Sequence, residues 1–193
     1  GKFSFSFAVP RDINYTQGNG LINIYAINDS RSLAVNGSCD RFLVGGTSSL
    51  ASDSIGPSVF CYLNSPSFEN GGNVNSTPYF VAQLRDKDGI NVSGSSIGHN
   101  LELIIDDDMN KTYVLNDNFQ YDFGSYTSGT TYYNIPELAP GKHRLQFKAW
   151  DVLNNSSTTW LDFEVAKGLR PNFFSVDVSQ NPARTGTRFI INH

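Results

Sequence analysis

Apolar and polar residues alternate through "KHRLQFKAWDVLNNSSTTWLDFEV", Lys142 to Val165, with a period of two. Leu145, Phe147 and Ala149 share one side, and Arg144, Gln146, Lys148 and Trp150 share the other. After "DVLNNSS" the pattern resumes, with Thr159, Leu161, Phe163 and Val165 set against Trp160, Asp162 and Glu164. Successive side chains of a strand project to opposite faces, so the stretch predicts a hairpin with one buried and one wet face. Facing Ala149 with Leu161 sets Phe147 against Phe163 and Leu145 against Val165 on the buried side. The same register sets Lys148 against Asp162 and Trp150 against Trp160 outside. Such charge and aromatic pairs each contribute ~0.2–1 kcal/mol. A slip by two residues would keep the faces, so the register is preferred on its pairs alone. The expectation is an outer aromatic pair, Trp150 and Trp160, near the loop end of the hairpin.

Similar runs recur at Phe3–Val9, Leu21–Ile27, Arg41–Val44, Ser58–Leu63, Tyr79–Leu84, Leu101–Asp106, Lys111–Leu115, Thr130–Ile135, Phe173–Val178 and Arg188–Ile191. Turn chemistry such as "NGSCD", "ENGGN", "DKDG" and "APG" separates them. No stretch carries a helical period. The predicted fold class is all-β: an immunoglobulin-like β-sandwich with flanking partial β-domains. "GGTSSLASDSIGPS", Gly45 to Ser58, reads as a linker, and "AKGLRPN", Ala166 to Asn172, as a second seam. The predicted division is residues 1–52, the last strands of a preceding β-domain; 53–170, the sandwich; and 171–193, the start of a further Ig-like, hook-capping-type domain. Gly1 before "KFSFSF" reads as a cloning scar, so the chain is expected to be a piece of a longer protein.

Composition narrows the function classes. The net charge is −4, with 14 Lys plus Arg scattered along the chain, which gives no electrostatic reason to expect nucleic acid. No run approaches the ~18 apolar residues that span a bilayer, so no membrane insertion is expected. Abundant Asn, Ser, Thr, Tyr and Gly lean toward a secreted β protein. Cys39 and Cys61 fit either one disulfide or two buried thiols. The alternation of Cys61 with Val59 and Leu63 favours buried thiols.

Candidate chemistry is sparse. Asp86 and Asp88 in "RDKDG", Asp106 in "IIDDDMN", and Asp151 at the hairpin loop form an oxygen-rich set that calcium would favour. "DKDGIN" lacks the sixth-position Gly and later Glu of an EF-hand loop, and Asp-Gly and Asp-Asp-Asp are also ordinary turn material. A Cys–His nucleophile would need Cys39 or Cys61 beside His99, His143 or His193, and no flanking signature supports one. No catalytic residue is therefore assigned. Trp150 and Trp160 are the candidate contact residues, either covered by protein or stacked on sugar rings.

Taken together, "GKFSFSFAVPRDINY", "SPSFENGGNVNSTPYFVAQLRDKDGINVSGSSIGHNLELIID", "YDFGSYTSGTTYYNIPELAPGKHRLQFKAWDVLNNSSTTWLDFEVAKGLRPN" and "NPARTGTRFIINH" resemble one family in order along nearly the whole chain. It is the C-terminal, non-catalytic region of type IX secretion sortases, gingipain-family cysteine peptidases of Bacteroidetes. The resemblance implies a parent at the extracellular face of the outer membrane that cleaves sorting domains from secreted cargo and helps attach that cargo to lipopolysaccharide. The family's catalytic Cys and His lie in an upstream domain that nothing here matches. What the resemblance implies for this chain is a structural and docking module, with neighbouring domains of its own parent and secretion-system or cargo proteins as partners. The alternative from the residues alone is a carbohydrate-binding or adhesion module of a secreted surface protein.

Overall fold

In the computed structural model, residues 4–11, 19–45, 53–94, 98–168, 175–178 and 188–192 are described. Strands β1 (Asn19–Ile27) and β2 (Ala34–Leu43) form an antiparallel hairpin. A two-layer body follows. Its first sheet has the order β3 (Ser58–Leu63), β5 (Tyr79–Arg85), β10 (Ser128–Asn134), β9 (Phe119–Tyr121). Its second has the order β4 (Asn73–Val74), β12 (Ser156–Val165), β11 (Gly141–Asp151), β7 (Glu102–Ile105), β8 (Asp108–Val114), and β6 (Ile90–Asn91) pairs with the end of β11. In chain order these strands give the A-B-E-D and C-F-G sheets of an immunoglobulin-like sandwich, and β4 runs parallel beside β12 as an added edge. A short 3₁₀ turn, Asn116–Asn118, leads into β9. Strands β13 (Ser175–Val178) and β14 (Phe189–Asn192) pair antiparallel. The chain is an all-β sandwich, as the alternation predicts.

Alternation decides what enters the core. Leu145, Phe147 and Ala149 of β11 are fully buried, facing Leu63, Phe80, Ala82 and Leu84 from the first sheet. The rings of Phe80 and Phe147 meet across the layers, 5.2 Å apart and tilted by 53°. Burying a side chain of this size stabilises the fold by ~1.5–3 kcal/mol. Gly129 of β10 lies where a Cβ would collide with the Phe119 ring and the Gln120 carbonyl, so the inward position next to β9 must carry no side chain.

The hairpin register differs from the expected one. Leu145 faces Leu161, His143 faces Phe163 and Gly141 faces Val165, a four-residue displacement that preserves both faces. The shorter loop decides it. Asp151 accepts hydrogen bonds from the amides of Leu153 (2.9 Å) and Asn155 (2.7 Å), and Asn154 takes a positive φ of 71°. This side-chain-capped turn closes the hairpin immediately after β11, so "NNSS" belongs to the turn and to the start of β12. The charge pair across the strands is consequently Arg144 with Asp162, Nε to Oδ1 at 2.7 Å, and not Lys148 with Asp162.

Other expected strands match with shifted ends, and β3 matches throughout. Residues 4–10 do not form the strand expected over Phe3–Val9. Strand β2 begins at Ala34, taking in "NGSC", which reads locally as a turn. Of the strand expected over Phe173–Val178, Phe173 and Phe174 lie outside the described residues.

Candidate functional site

The two tryptophans share the outer face of the second sheet without forming a pair. Trp150 sits opposite Ser156, and Trp160 sits opposite Gln146, four positions away along β11. At ~3.3–3.4 Å per residue that is about 13 Å. Trp150 is half-buried: the Lys148 Nζ lies 4.4 Å from its ring centroid, and the His99 ring approaches to 4.2 Å. Its indole N–H is buried and has no partner among the described residues. Trp160 is 55% exposed and donates its indole N–H to Gln146 Oε1 at 3.3 Å. The open aromatic ring at this face is therefore Trp160, with Trp150 tied into the surface by its own neighbours.

The four candidate aspartates separate into two groups. Asp86 and Asp88 lie in the β5–β6 turn, and Asp151 closes the β11–β12 loop beside it. Asp86 Oδ1 accepts from the amides of Asp88 (2.8 Å) and Gly89 (3.2 Å). Burial pushes the Asp86 carboxyl up, the nearby Asp151 charge adds to this, and the two amides offset part of it. Asp88 bonds to Lys87 Nζ at 2.7 Å, and the same Nζ reaches Asp53 Oδ2 at 2.8 Å. The bond from Lys87 holds Asp53 down at about 2. Asp106 lies at the other end of β11. It and Asp107, both at positive φ (59° and 55°), form the two-residue turn joining β7 to β8, in the manner of a type I′ hairpin. Asp106 Oδ2 contacts His143 Nδ1 at 2.8 Å and Lys111 Nζ at 3.3 Å, and its Oδ1 accepts from the Arg144 amide. Burial raises this carboxyl, but the bonds from His143, Arg144 and Lys111 outweigh it, and the net shift is downward. Among the described residues no group of three or more His, Cys, Asp or Glu is placed to hold a metal ion. Asp86 and Asp151 cap turns instead, Asp88 pairs with Lys87, and Asp106 pairs with His143 and Lys111.

The cysteines do not meet. Cys61 is buried in the core, and desolvation pushes its thiol up to about 12. Such a group stays protonated and is a poor nucleophile. Cys39 is exposed, contrary to the expectation of two buried thiols. The reason is its strand: nearly every residue of β2 is open to solvent, so the ribbon offers no inner face to shelter it. His143 is committed to Asp106 and, through Nε2, to the Ala139 carbonyl at 2.8 Å. His99 packs on Trp150, and His193 lies outside the described residues.

Two features escaped sequence reasoning. The β1–β2 hairpin exposes Leu21, Tyr25, Leu33, Val35 and Leu43, more apolar surface than a free two-stranded ribbon carries comfortably. The outer face of the first sheet carries Phe60, Tyr62, Tyr79 and Tyr132 around Val81. Aromatics fall on both parities of "YFVAQL" and "TTYY", so alternation by itself did not separate the outer set there, although Phe60 and Tyr62 of "VFCYL" share one parity.

Among solved structures, the latent dimeric PorU from Porphyromonas gingivalis aligns with 97% of this chain at 35% identity and a TM-score of 0.61. The chain is similar to a stretch of PorU. That stretch is 18% of the PorU chain. An endo-beta-1,4-mannanase from Thermotoga petrophila aligns with 56% of the chain and 20% of its own length, at 11% identity and a TM-score of 0.37, which carries no argument. No family model and no curated protein matches the chain. The PorU likeness runs through β1–β2 and the sandwich alike, since almost the whole chain aligns.

Proposed function

We propose that this chain is a non-catalytic region of a cell-surface, type IX sortase-like cysteine peptidase, and that it works there as a structural and docking module. The observation that carries the reading is the 35% identity to PorU over 97% of the chain. In this reading the peptidase centre lies elsewhere in the parent. The partners are neighbouring domains of that parent, together with secretion-system or cargo proteins, and the place of work is the extracellular face of the outer membrane. The exposed apolar residues of β1–β2 and the open Trp160 ring support a region that packs against other surfaces. The state of the thiols is compatible with a non-catalytic role: Cys61 is sealed in the core, and Cys39 stands on an open ribbon.

The test has two arms. Electrophilic peptide analogues of cargo should label neither Cys39 nor Cys61 faster than they label a free thiol in solution. The complete reading frame should encode a gingipain-like domain in addition to this region. Substrate-selective labelling of either cysteine, or a reading frame with no peptidase domain, would overturn the proposal.

A further inference from the structure

The passage from the first sheet to the second is held at one histidine. Residues 135–140 run from the end of β10 to the start of β11, with Leu138 buried and its amide donating to the Ser76 carbonyl at 2.8 Å. His143, near the start of β11, touches this crossing at one ring nitrogen and the β7–β8 turn at the other. Nε2 lies 2.8 Å from the Ala139 carbonyl oxygen, and Nδ1 lies 2.8 Å from Asp106 Oδ2. The imidazole is 10% exposed, and the Phe163 ring lies 5.5 Å away, inclined to it by 25°. Both partners are acceptors. A carbonyl oxygen has no proton to give. Asp106 Oδ2 also takes Lys111 Nζ at 3.3 Å while Oδ1 takes the Arg144 amide, the pattern of a charged carboxylate. A neutral imidazole carries one N–H, and only the imidazolium carries two. A ring this enclosed has little freedom to exchange either partner for solvent.

We infer that His143 is a proton-gated clamp: carrying both ring protons it ties the crossing at 135–140 to the β7–β8 turn, and losing one frees the crossing. The proton lost is the one on Nε2, because the carboxylate is the stronger acceptor and keeps the Nδ1–H. The bare Nε2 lone pair then faces the Ala139 oxygen, two acceptors with no proton between them. The bonded form is the protonated one, so the stabilisation is present on the acid side of the imidazole titration and lost as pH rises through it. Asp106 sets the acid limit: burial disfavours its charge, the bonds from His143, Arg144 and Lys111 outweigh this, and it titrates below its ordinary value. No other charged group bonds to the ring. Lys111 on β8 acts through Asp106, and Asp108 beside it accepts from Asn110. On β12 the residue opposite His143 is the uncharged Phe163, while Asp162 is held by Arg144 and Glu164 stands opposite Lys142. Glu137 in the crossing and Asp107 in the turn are exposed. The clamp does not depend on the docking role proposed above.

Ring ¹⁵N–¹H correlation spectra of the 193-residue chain, recorded from about pH 5 to 8, read the protonation of each imidazole nitrogen. The signals that vanish in His143→Gln are those of His143. Both of its nitrogens should be protonated at the acid end, and Nε2 alone should lose its proton as pH rises. Amide exchange, corrected for its intrinsic pH dependence, reads the crossing. Protection of the Leu138 amide should fall about tenfold from the acid to the alkaline end, the scale of one lost hydrogen bond. Protection of the Asp106 amide, which donates to the Arg144 carbonyl, should hold within about twofold. In His143→Gln the change at Leu138 should shrink to less than about twofold, and His99→Gln should leave it in place. Melting curves establish that each variant is folded, and if His143→Gln does not fold, the parent's ring spectra and exchange decide. An Nε2 without a proton at the acid end, equal Leu138 protection at both ends, or a fall that persists in folded His143→Gln overturns the inference.

Discussion

Phe147 is the side chain through which the two sheets hold each other, and its truncation gives the sharpest test of the packing. It is fully buried on β11, and its ring meets that of Phe80 on β5 at 5.2 Å. Phe147→Ala removes the ring from a site bounded by both layers, where the surrounding strands are fixed by ladder pairing and collapse little. Phe→Ala changes at buried sites cost about 3–5 kcal/mol, and lost ring–ring contact falls within that range. A typical total stability is only ~5–15 kcal/mol, so the variant sits near the edge of folding. For a chain of this length the shift in melting temperature is about 6–20 °C, at 2–4 °C per kcal/mol. Urea unfolding should show a lower midpoint with the same slope if both proteins unfold from the same kind of native state. Phe123→Ala is the control: that ring is fully exposed, and its loss should cost within about 0.5 kcal/mol. Equal shifts for the two variants, or a cost under about 1 kcal/mol for Phe147→Ala, would refute the reasoning.

Three further outcomes follow from particular side chains. Under native conditions 5,5′-dithiobis(2-nitrobenzoic acid) should titrate Cys39 promptly and Cys61 only after unfolding, because Cys61 is buried and its thiol is pushed up to about 12. Asp151→Ala should destabilise by about 1–3 kcal/mol through the loop amides it leaves unsatisfied, with Asp151→Asn costing less because one oxygen remains. The Asp106 carboxyl lies below its ordinary value in the folded chain, so its stabilisation is present above the unfolded value of ~3.9 and is lost as pH falls through the folded value. Chemical denaturation from neutral pH downward should therefore show Asp106→Asn weaker than the parent at neutrality, with the gap closing in acid.

Fold class was legible because alternation reports burial directly. "SVFCYL" predicts β3 from end to end, and "RLQFKA" predicts which side of β11 enters the core. Register was not legible, since an even slip leaves every face unchanged and only the loop length chooses between slips. The signal that chooses it was present in "DVLNN": an Asp able to cap the amides ahead of it, and an Asn that tolerates positive φ. Two- and three-residue strands such as β4, β6 and β9 carry too few positions to show a period. The aspartates looked like a cation set because turn-capping and metal binding draw on the same residue type. Distance along β11 separates Asp106 from Asp86 and Asp151, and no one-dimensional pattern contains it. The outer tyrosine face was hidden for a related reason, since aromatic residues occupy both sides of β5 and β10 and only pairing sorts them.

The docking role proposed for this region leaves the chemistry to another part of the proposed parent peptidase. The direct measurement compares the parent peptidase with and without the region, on a short peptide and on intact secreted cargo. The shortened enzyme should still hydrolyse the peptide but leave cargo at the cell surface unprocessed, while the isolated region should hydrolyse neither. Normal cargo processing by the shortened enzyme, or peptide hydrolysis by the isolated region, would contradict it.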